Sequence, residues 1–244
     1  MSDQKVALVT GANKGIGFET VRQLAAKGIT VLLGARDEQK GEAAAAKLRG
    51  ENLDVRFLEL DVTDASTHEN ARKFVEENFG KLDILVNNAG VGLDAGVPVS
   101  QITPEQWRGT FEVNVFGTIE LTQKLLPLIV KSEAGRIVNV SSILGSLKWS
   151  SDPASNIGSF AFSGTAYNAS KAALNMFTVH LANELKDTPV KVNTCHPGWV
   201  KTDMGGENAP LSTEEGAKSS VMLATLPADG FTGRYVHMNE DLPW

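Results

Sequence analysis

The chain has 244 residues, 42% of them hydrophobic, and a formal charge of −6. An acidic balance without a run of basic residues excludes a nucleic-acid or anionic-membrane surface as the main partner, and no apolar stretch is long enough to span a bilayer. One cysteine, Cys195, excludes an intramolecular disulfide framework and a multi-cysteine metal site, and the four histidines have no ligand spacing, so no metal is expected.

Residues 1–5 do not lead into a signal-peptide pattern, which predicts a cytoplasmic protein. Lys5-Val6-Ala7-Leu8-Val9 is a short apolar run of strand type, and Ile16, Val21, Leu24 and Ala25 repeat at helical spacing. The residues between them, Thr10-Gly11-Ala12-Asn13-Lys14-Gly15-Ile16-Gly17, therefore form a strand-to-helix turn. Glycines at such a turn permit a tight bend, close backbone approach to a pyrophosphate and close helix packing, and the free N–H groups of the helix start favour an anion. The spacing here is G-x-x-x-G-x-G, not the G-x-G-x-x-G of the general dinucleotide fingerprint.

Further strand-like runs at residues 30–35, 55–60, 82–86, 136–141, 190–194 and 233–238 alternate with helical segments. This rhythm predicts an α/β fold: one Rossmann-type, doubly wound parallel sheet of about seven strands with helices on both faces, spanning 1–244 as a single domain. Thr103-Pro104-Glu105-Gln106 and Ser212-Thr213-Glu214-Glu215 read as capping boxes, and residues 107–130 read as one long helix. Three long loops, 91–102, 143–162 and 199–211, follow strand ends, the edge where open α/β sheets place ligands. On them Leu93, Ile143, Trp149, Trp199 and Met204 could line an apolar substrate cleft or could pack the loops onto the sheet.

Tyr167 and Lys171 are four residues apart at the start of a helical pattern and share a face. An ammonium beside a phenol favours phenolate, so the pair predicts a tyrosine pulled below its ordinary pKa of about 10 and able to act as acid or base. Ser141 and Ser142 end an apolar strand, which puts a hydroxyl at the same sheet edge, and Asn114 lies inside a helix where its amide needs a partner. Asn87 could brace neighbouring strands or touch a ligand.

These residues together resemble the short-chain dehydrogenase/reductase family over essentially the whole chain. Residues 10–17 are similar to its TGxxxGxG turn, 87–90 to its NNAG, Pro197-Gly198 to its PG, and Asn114, Ser142, Tyr167 and Lys171 to its catalytic tetrad. Asn13-Lys14-Gly15-Ile16-Gly17, Gly34-Ala35-Arg36-Asp37, the run from His196 through Met204 and residues 214–244 most resemble carbonyl reductases. The resemblance implies NADPH as cofactor and a small-molecule ketone or aldehyde as substrate. Tyr167 would supply a proton, Ser142 a hydrogen bond to the carbonyl oxygen, and Lys171 would tune Tyr167 and hold the nicotinamide ribose. Asn114 would fix a water leading to Lys171. It further implies cofactor contacts from Gly11, Asn13, Lys14, Gly15, Ile16 and Gly17, from Asp61 and Val62 at the adenine, from Asn88, Ala89 and Gly90, and from Pro197, Gly198, Val200 and Thr202.

Charge supports the choice of NADP over NAD. The position at the end of the second strand, where an acid would grip a ribose 2′-OH, is Ala35, and Arg36 and Lys14 are expected to converge on a 2′-phosphate. Asp37, one position late, should point elsewhere. The 24 residues between Ser142 and Tyr167 form an insertion like the one that covers the helix interface in carbonyl reductases, which implies a monomer. Two other readings remain at this stage. One is a non-catalytic NADP-binding regulatory protein, against which the four tetrad residue types argue. The other is an epimerase or dehydratase of the extended branch, against which the short C-terminal region argues.

Overall fold

The computed structural model describes residues 4–152, 154–155 and 164–244. Strands β1 (Val6–Val9), β2 (Thr30–Ala35), β3 (Val55–Glu59), β4 (Ile84–Asn87), β5 (Arg136–Val140), β6 (Lys191–Cys195) and β7 (Tyr235–His237) fall on the seven predicted segments. They pair in parallel in the order β3-β2-β1-β4-β5-β6-β7. The expectation of about seven strands misses an eighth, β8 (Glu240–Asp241). It pairs antiparallel with β7 after the chain reverses through Met238, at φ 53.

Helices α1 (Gly15–Ala25), α2 (Glu38–Gly50), α3 (Ala65–Phe79), α4 (Pro104–Phe111), α5 (Thr118–Ile129), α6 (Leu147–Ser151), α7 (Thr165–Glu184) and α8 (Thr213–Ala224) lie between the strands in sequence. Alternation along each strand sends side chains to both faces, and both are covered. Val9, Val31, Leu33, Val86 and Val138 pack with Val21 and Leu24 of α1, Leu48 of α2 and Val221 of α8. Leu8, Leu32, Leu85 and Ile137 pack with Val75 of α3, Leu121 and Leu125 of α5, and Leu181 of α7. Burying such side chains stabilises the fold by about 1.5–3 kcal/mol each before conformational entropy is counted.

Both predicted capping boxes form, at Thr103 with Gln106 and at Ser212 with Glu215. The single helix expected over 107–130 does not. Between α4 and α5 the chain widens into a π-helical stretch, Glu112–Gly117. At its end Gly117 passes the exit of β3 without room for a side chain, since a Cβ there would sit 1.9 Å from the carbonyl oxygen of Val62. The extra residue sits in the turn that carries Asn114, a placement typical of functional helices.

Asn87 resolves to the bracing role. Its amide donates to Thr122 Oγ1 of α5 at 2.9 Å and to Asn139 Oδ1 of β5 at 2.8 Å, and Asn139 in turn donates to Thr178 Oγ1 of α7 at 2.8 Å. This buried chain ties β4, β5, α5 and α7 together below the C-terminal edge of the sheet. Removing one member strands a desolvated donor, which costs about 1–3 kcal/mol. Asn139→Ala should therefore lower the urea-unfolding free energy by about 2 kcal/mol, as read from the shift in midpoint at constant slope; an unchanged midpoint would show the chain of amides to be dispensable.

Candidate active site

The turn from β1 into α1 is held open by its glycines and from outside by the end of β4. Gly11 and Gly15 take φ of +63 and +61, which L side chains resist, and a Cβ on Gly11 would lie 2.9 Å from Ala89 Cα. Thr10 Oγ1 accepts the N–H groups of Asn88 and Ala89, and Asn88 Nδ2 donates to the carbonyls of Thr10 and Gly11. The Asn88 side chain thus shapes the turn. Gly90 lies just beyond.

At the start of α1 the N-cap residue Lys14 provides no side-chain cap, and the first turn has no acid. The turn around Asn13, Gly15, Ile16 and Gly17 therefore presents helix-start N–H groups that no N-cap side chain among the described residues satisfies, the requirement for holding a pyrophosphate. On its far side Pro197, Gly198 and Val200 carry the chain from β6 back towards the turn, and Thr202 Cγ2 lies 3.5 Å from where a Gly15 Cβ would be. Asp61 closes its own loop after β3, accepting from Thr63, and Val62 is buried in the core.

The charges expected at a 2′-phosphate are only partly arranged as predicted. Asp37 does point elsewhere: it caps α2, accepting from Lys40 N at 2.9 Å, and its carboxyl is held below the ordinary range by that bond. Arg36 is exposed and makes no ion pair among the described residues. The Lys14 ammonium is hydrogen-bonded to Asp203 on the loop after β6. Both partners are largely exposed, so solvent screens the pair and a phosphate dianion can displace it.

The tetrad residues are brought together at the C-terminal edge of the sheet. Ser142 follows β5 and its hydroxyl lies beside the Tyr167 phenol. Lys171, buried one turn further along α7, donates to the Val140 carbonyl at 2.9 Å, with its ammonium 5.6 Å from the Tyr167 ring centre. Asn114 accepts from Val91 N and donates to Val91 O, each at 2.8 Å, and donates to Ser170 Oγ at 2.9 Å. Asn114 Oδ1 and Lys171 Nζ meet at Gly90, each 3.4 Å from where its Cβ would stand.

The expected depression of the Tyr167 pKa is not found. Desolvation pushes the phenol up to about 12, and the Ser142 hydroxyl opposes that rise only in part. Lys171 fails to lower it because its ammonium faces the ring and is tied to Val140, and because burial drops the lysine itself to about 8. Tyr167 at neutral pH is a protonated phenol.

His196 enters the sequence reading only as the first residue of the run to Met204, with no role of its own. Its Nδ1 accepts the Ile143 N–H at 3.3 Å, bracing the turn after Ser142, and desolvation lowers its pKa to about 3, so it stays neutral and keeps that acceptor. Its carbonyl accepts from His237 Nδ1 at 2.9 Å. Of the expected pocket residues, Leu93, Trp199 and Met204 are exposed, while Ile143 and Trp149 are half-buried. Residues 153 and 156–163 of the predicted loop 143–162 lie outside the described residues. A depression of about 500 Å³ between α3 and α5, around Arg72 and Lys124, contains none of these groups. Among the described residues no group of three or more His, Cys, Asp or Glu could hold a metal ion, and no helix is long and apolar enough to cross a membrane.

The family model for short chain dehydrogenase matches residues 5–211. Carbonyl reductase (NADPH) 1 of Mus musculus is 37% identical, covering 100% of this chain and 99% of the mouse protein. The (+)-neomenthol dehydrogenase of Arabidopsis thaliana is 38% identical over 91% of this chain and 92% of its own. Among solved structures, the NADPH-bound carbonyl reductase from chicken fatty liver superposes with a TM-score of 0.86 at 26% identity, covering 99% of each chain.

The phenol can be tested directly, because Tyr167 and Tyr235 are the two tyrosines of the chain and burial raises both. The folded protein should show no tyrosinate absorbance at ~295 nm until the pH passes ordinary tyrosine's value of about 10, whereas the urea-denatured chain titrates there. Since the folded state then holds protons that the unfolded state has lost, stability should fall as pH rises from about 10 towards 12. A tyrosine titrating near neutrality would contradict this environment.

Proposed function

The chain belongs to the short chain dehydrogenase family, and we propose that it is an oxidoreductase that uses NADPH to reduce a ketone or aldehyde. The observation that carries this reading is the Tyr167 phenol beside the Ser142 hydroxyl with Lys171 one turn along, on the same sheet edge as the start of α1. Relatives with the names carbonyl reductase (NADPH) 1 and (+)-neomenthol dehydrogenase support it.

The residues present fit a dinucleotide phosphate. The α1 start offers N–H groups without a capping acid, and Arg36 is free of ion pairs among the described residues, suited to grip a 2′-phosphate as a fork. Lys14 joins it by exchanging Asp203 for phosphate. Asp61, Val62, Asn88, Ala89, Gly90, Pro197, Gly198, Val200 and Thr202 line the path of the remainder. The chemistry that NADPH supplies when bound is a hydride for the carbonyl carbon.

The chain's own groups handle the oxygen. Tyr167 gives its phenolic proton to the carbonyl oxygen as negative charge develops there, and Ser142 Oγ stabilises that charge by donating a hydrogen bond. Lys171, with a pKa near 8, stabilises the phenolate left behind and returns a proton to it, while also holding the ribose. Asn114 anchors the water that resupplies the proton. Leu93, Ile143, Trp149, Trp199 and Met204 favour an apolar carbonyl compound. We further read 1–244 as one domain, monomeric and cytoplasmic.

Two substitutions test the assignment. Tyr167→Phe should bind NADPH normally while carbonyl-dependent oxidation of NADPH falls by at least ~100-fold, the usual worth of a positioned acid; wild-type turnover would remove Tyr167 from the chemistry. Arg36→Ala should weaken NADPH binding by roughly tenfold or more, as loss of a charged hydrogen bond implies, with NADH binding little changed. Equal losses for both cofactors would defeat the 2′-phosphate argument.

A further inference from the structure

The helix that carries Tyr167 and Lys171 begins without a cap of its own. Its N-cap residue is Gly164, which has no side-chain acceptor, and its first turn contains no acid. The N–H groups of Ala166 and Tyr167, at the second and third helical positions, are the ones a capping side chain normally satisfies. Here the acceptor comes from another part of the chain. Asp94, on the segment after β4, is fully buried; its Oδ2 accepts the Ala166 N–H at 2.6 Å and its Oδ1 the Tyr167 N–H at 3.3 Å. Gly164 makes room for it, since a Cβ there would lie 2.3 Å from Asp94 Oδ1 and 2.5 Å from its Cγ.

The same short segment also touches the tyrosine ring. Gly92 presents its Cα to Tyr167, whose Cδ2 lies 3.4 Å from where a Cβ would be. The segment is itself pinned. Asn114 clasps both polar groups of Val91, Gln106 Nε2 donates to the Leu93 carbonyl at 2.9 Å, and the Asp94 carbonyl accepts from Val97 N at 3.1 Å. Tyr167 is thus held by its backbone through Asp94 and by its ring against Gly92, from a strip of chain anchored to the helix of Asn114.

We propose that Asp94 is a positioning residue for carbonyl reduction, its carboxylate fixing the first turn of α7 and so the Tyr167 hydroxyl against the cleft. The proposal rests on the reading of Tyr167 as proton donor. Proton transfer depends on heavy-atom placement, and an error of ~1 Å in a reacting group can cost roughly 100-fold in rate. The first turn of a helix is also the part that opens most readily when its N–H groups have no acceptor. Tyr167 occupies that turn, so its position cannot be secured by the body of α7 alone.

Asp94→Asn and Asp94→Ala test this in the full chain. Asparagine fills the same space but offers one acceptor oxygen for two N–H groups, and alanine offers none. NADPH affinity should stay within about twofold, since Asp94 lies away from the glycine turn, while kcat falls about tenfold in Asp94→Asn and further in Asp94→Ala with KM changing less. Amide exchange at Ala166 and Tyr167 should accelerate in both variants while the second half of α7 keeps its protection. The groups facing the phenol are Ser142 from the end of β5, Lys171 from α7 itself and Tyr235 from β7. With these unchanged, NMR of labelled tyrosine should show the Tyr167 pKa moving down from about 12 towards the ordinary value.

Wild-type kcat in Asp94→Ala overturns the proposal, as does unchanged exchange at the two amides. A fall in kcat that only tracks lost thermal stability, with the phenol titration unmoved in Asp94→Asn, also overturns it by making Asp94 merely structural. If the unmutated protein reduces no carbonyl compound, the reading of Tyr167 as donor fails, and exchange and titration still report separately whether Asp94 holds the helix start.

Discussion

Seven parallel strands impose one geometric condition on the whole molecule. Parallel neighbours cannot be joined by a hairpin, so every connection must leave the sheet at the same edge and return across a face. The C-terminal ends of β1, β4, β5 and β6 therefore lie side by side, and whatever follows them in sequence becomes a neighbour in space. Thr10, Asn88, Ser142 and His196 come from four distant parts of the chain and meet for this reason. The helices inherit the condition: α1 starts at that edge, and so does the turn of α7 that bears Tyr167.

Cross-links between the connections then convert adjacency into fixed positions. Apolar packing sets the spacing of helix and sheet but tolerates small slides, whereas a buried amide with named partners does not. The amides of Asn87, Asn139 and Asn114 bind α5 and α7 to the strand ends, and Thr10 with Asn88 binds the glycine turn to β4. Each joins elements that meet near the proposed chemistry. The π-helical stretch around Asn114 belongs to the same set, because the widened turn carries a side chain whose amide reaches both Val91 and Ser170.

Much of this was legible in the sequence where the signal is local. Strand runs, capping boxes and the glycine turn depend on neighbours a few residues away, and the structure reproduces them. Asp37 was legible only as an acid that should point elsewhere; its role as the cap of α2 needed the structure. The π-helical stretch was not, because the spacing of residues 107–130 reads as one helix and the Val62 carbonyl that crowds Gly117 lies more than fifty residues away. The partner of Lys14 was hidden likewise, since Asp203 approaches it only once β6 lies in the sheet beside β5. Asp94 and His196 act on groups 72 and 53 residues away, and neither belongs to a motif that announces such a bond.

The pKa of Tyr167 illustrates a different limit, in which the residues were correctly paired and the sign was not. Helical spacing places Lys171 near the phenol, and proximity alone argues for phenolate. Burial acts on both members, however, raising the phenol and lowering the ammonium, and the ammonium is directed to Val140. The result suits one direction of the proposed reaction. A phenol near 12 enters reduction already carrying the proton that the carbonyl oxygen needs. Oxidation of an alcohol would instead need the phenolate, which groups brought beside it would have to stabilise before it could serve as a base near neutral pH.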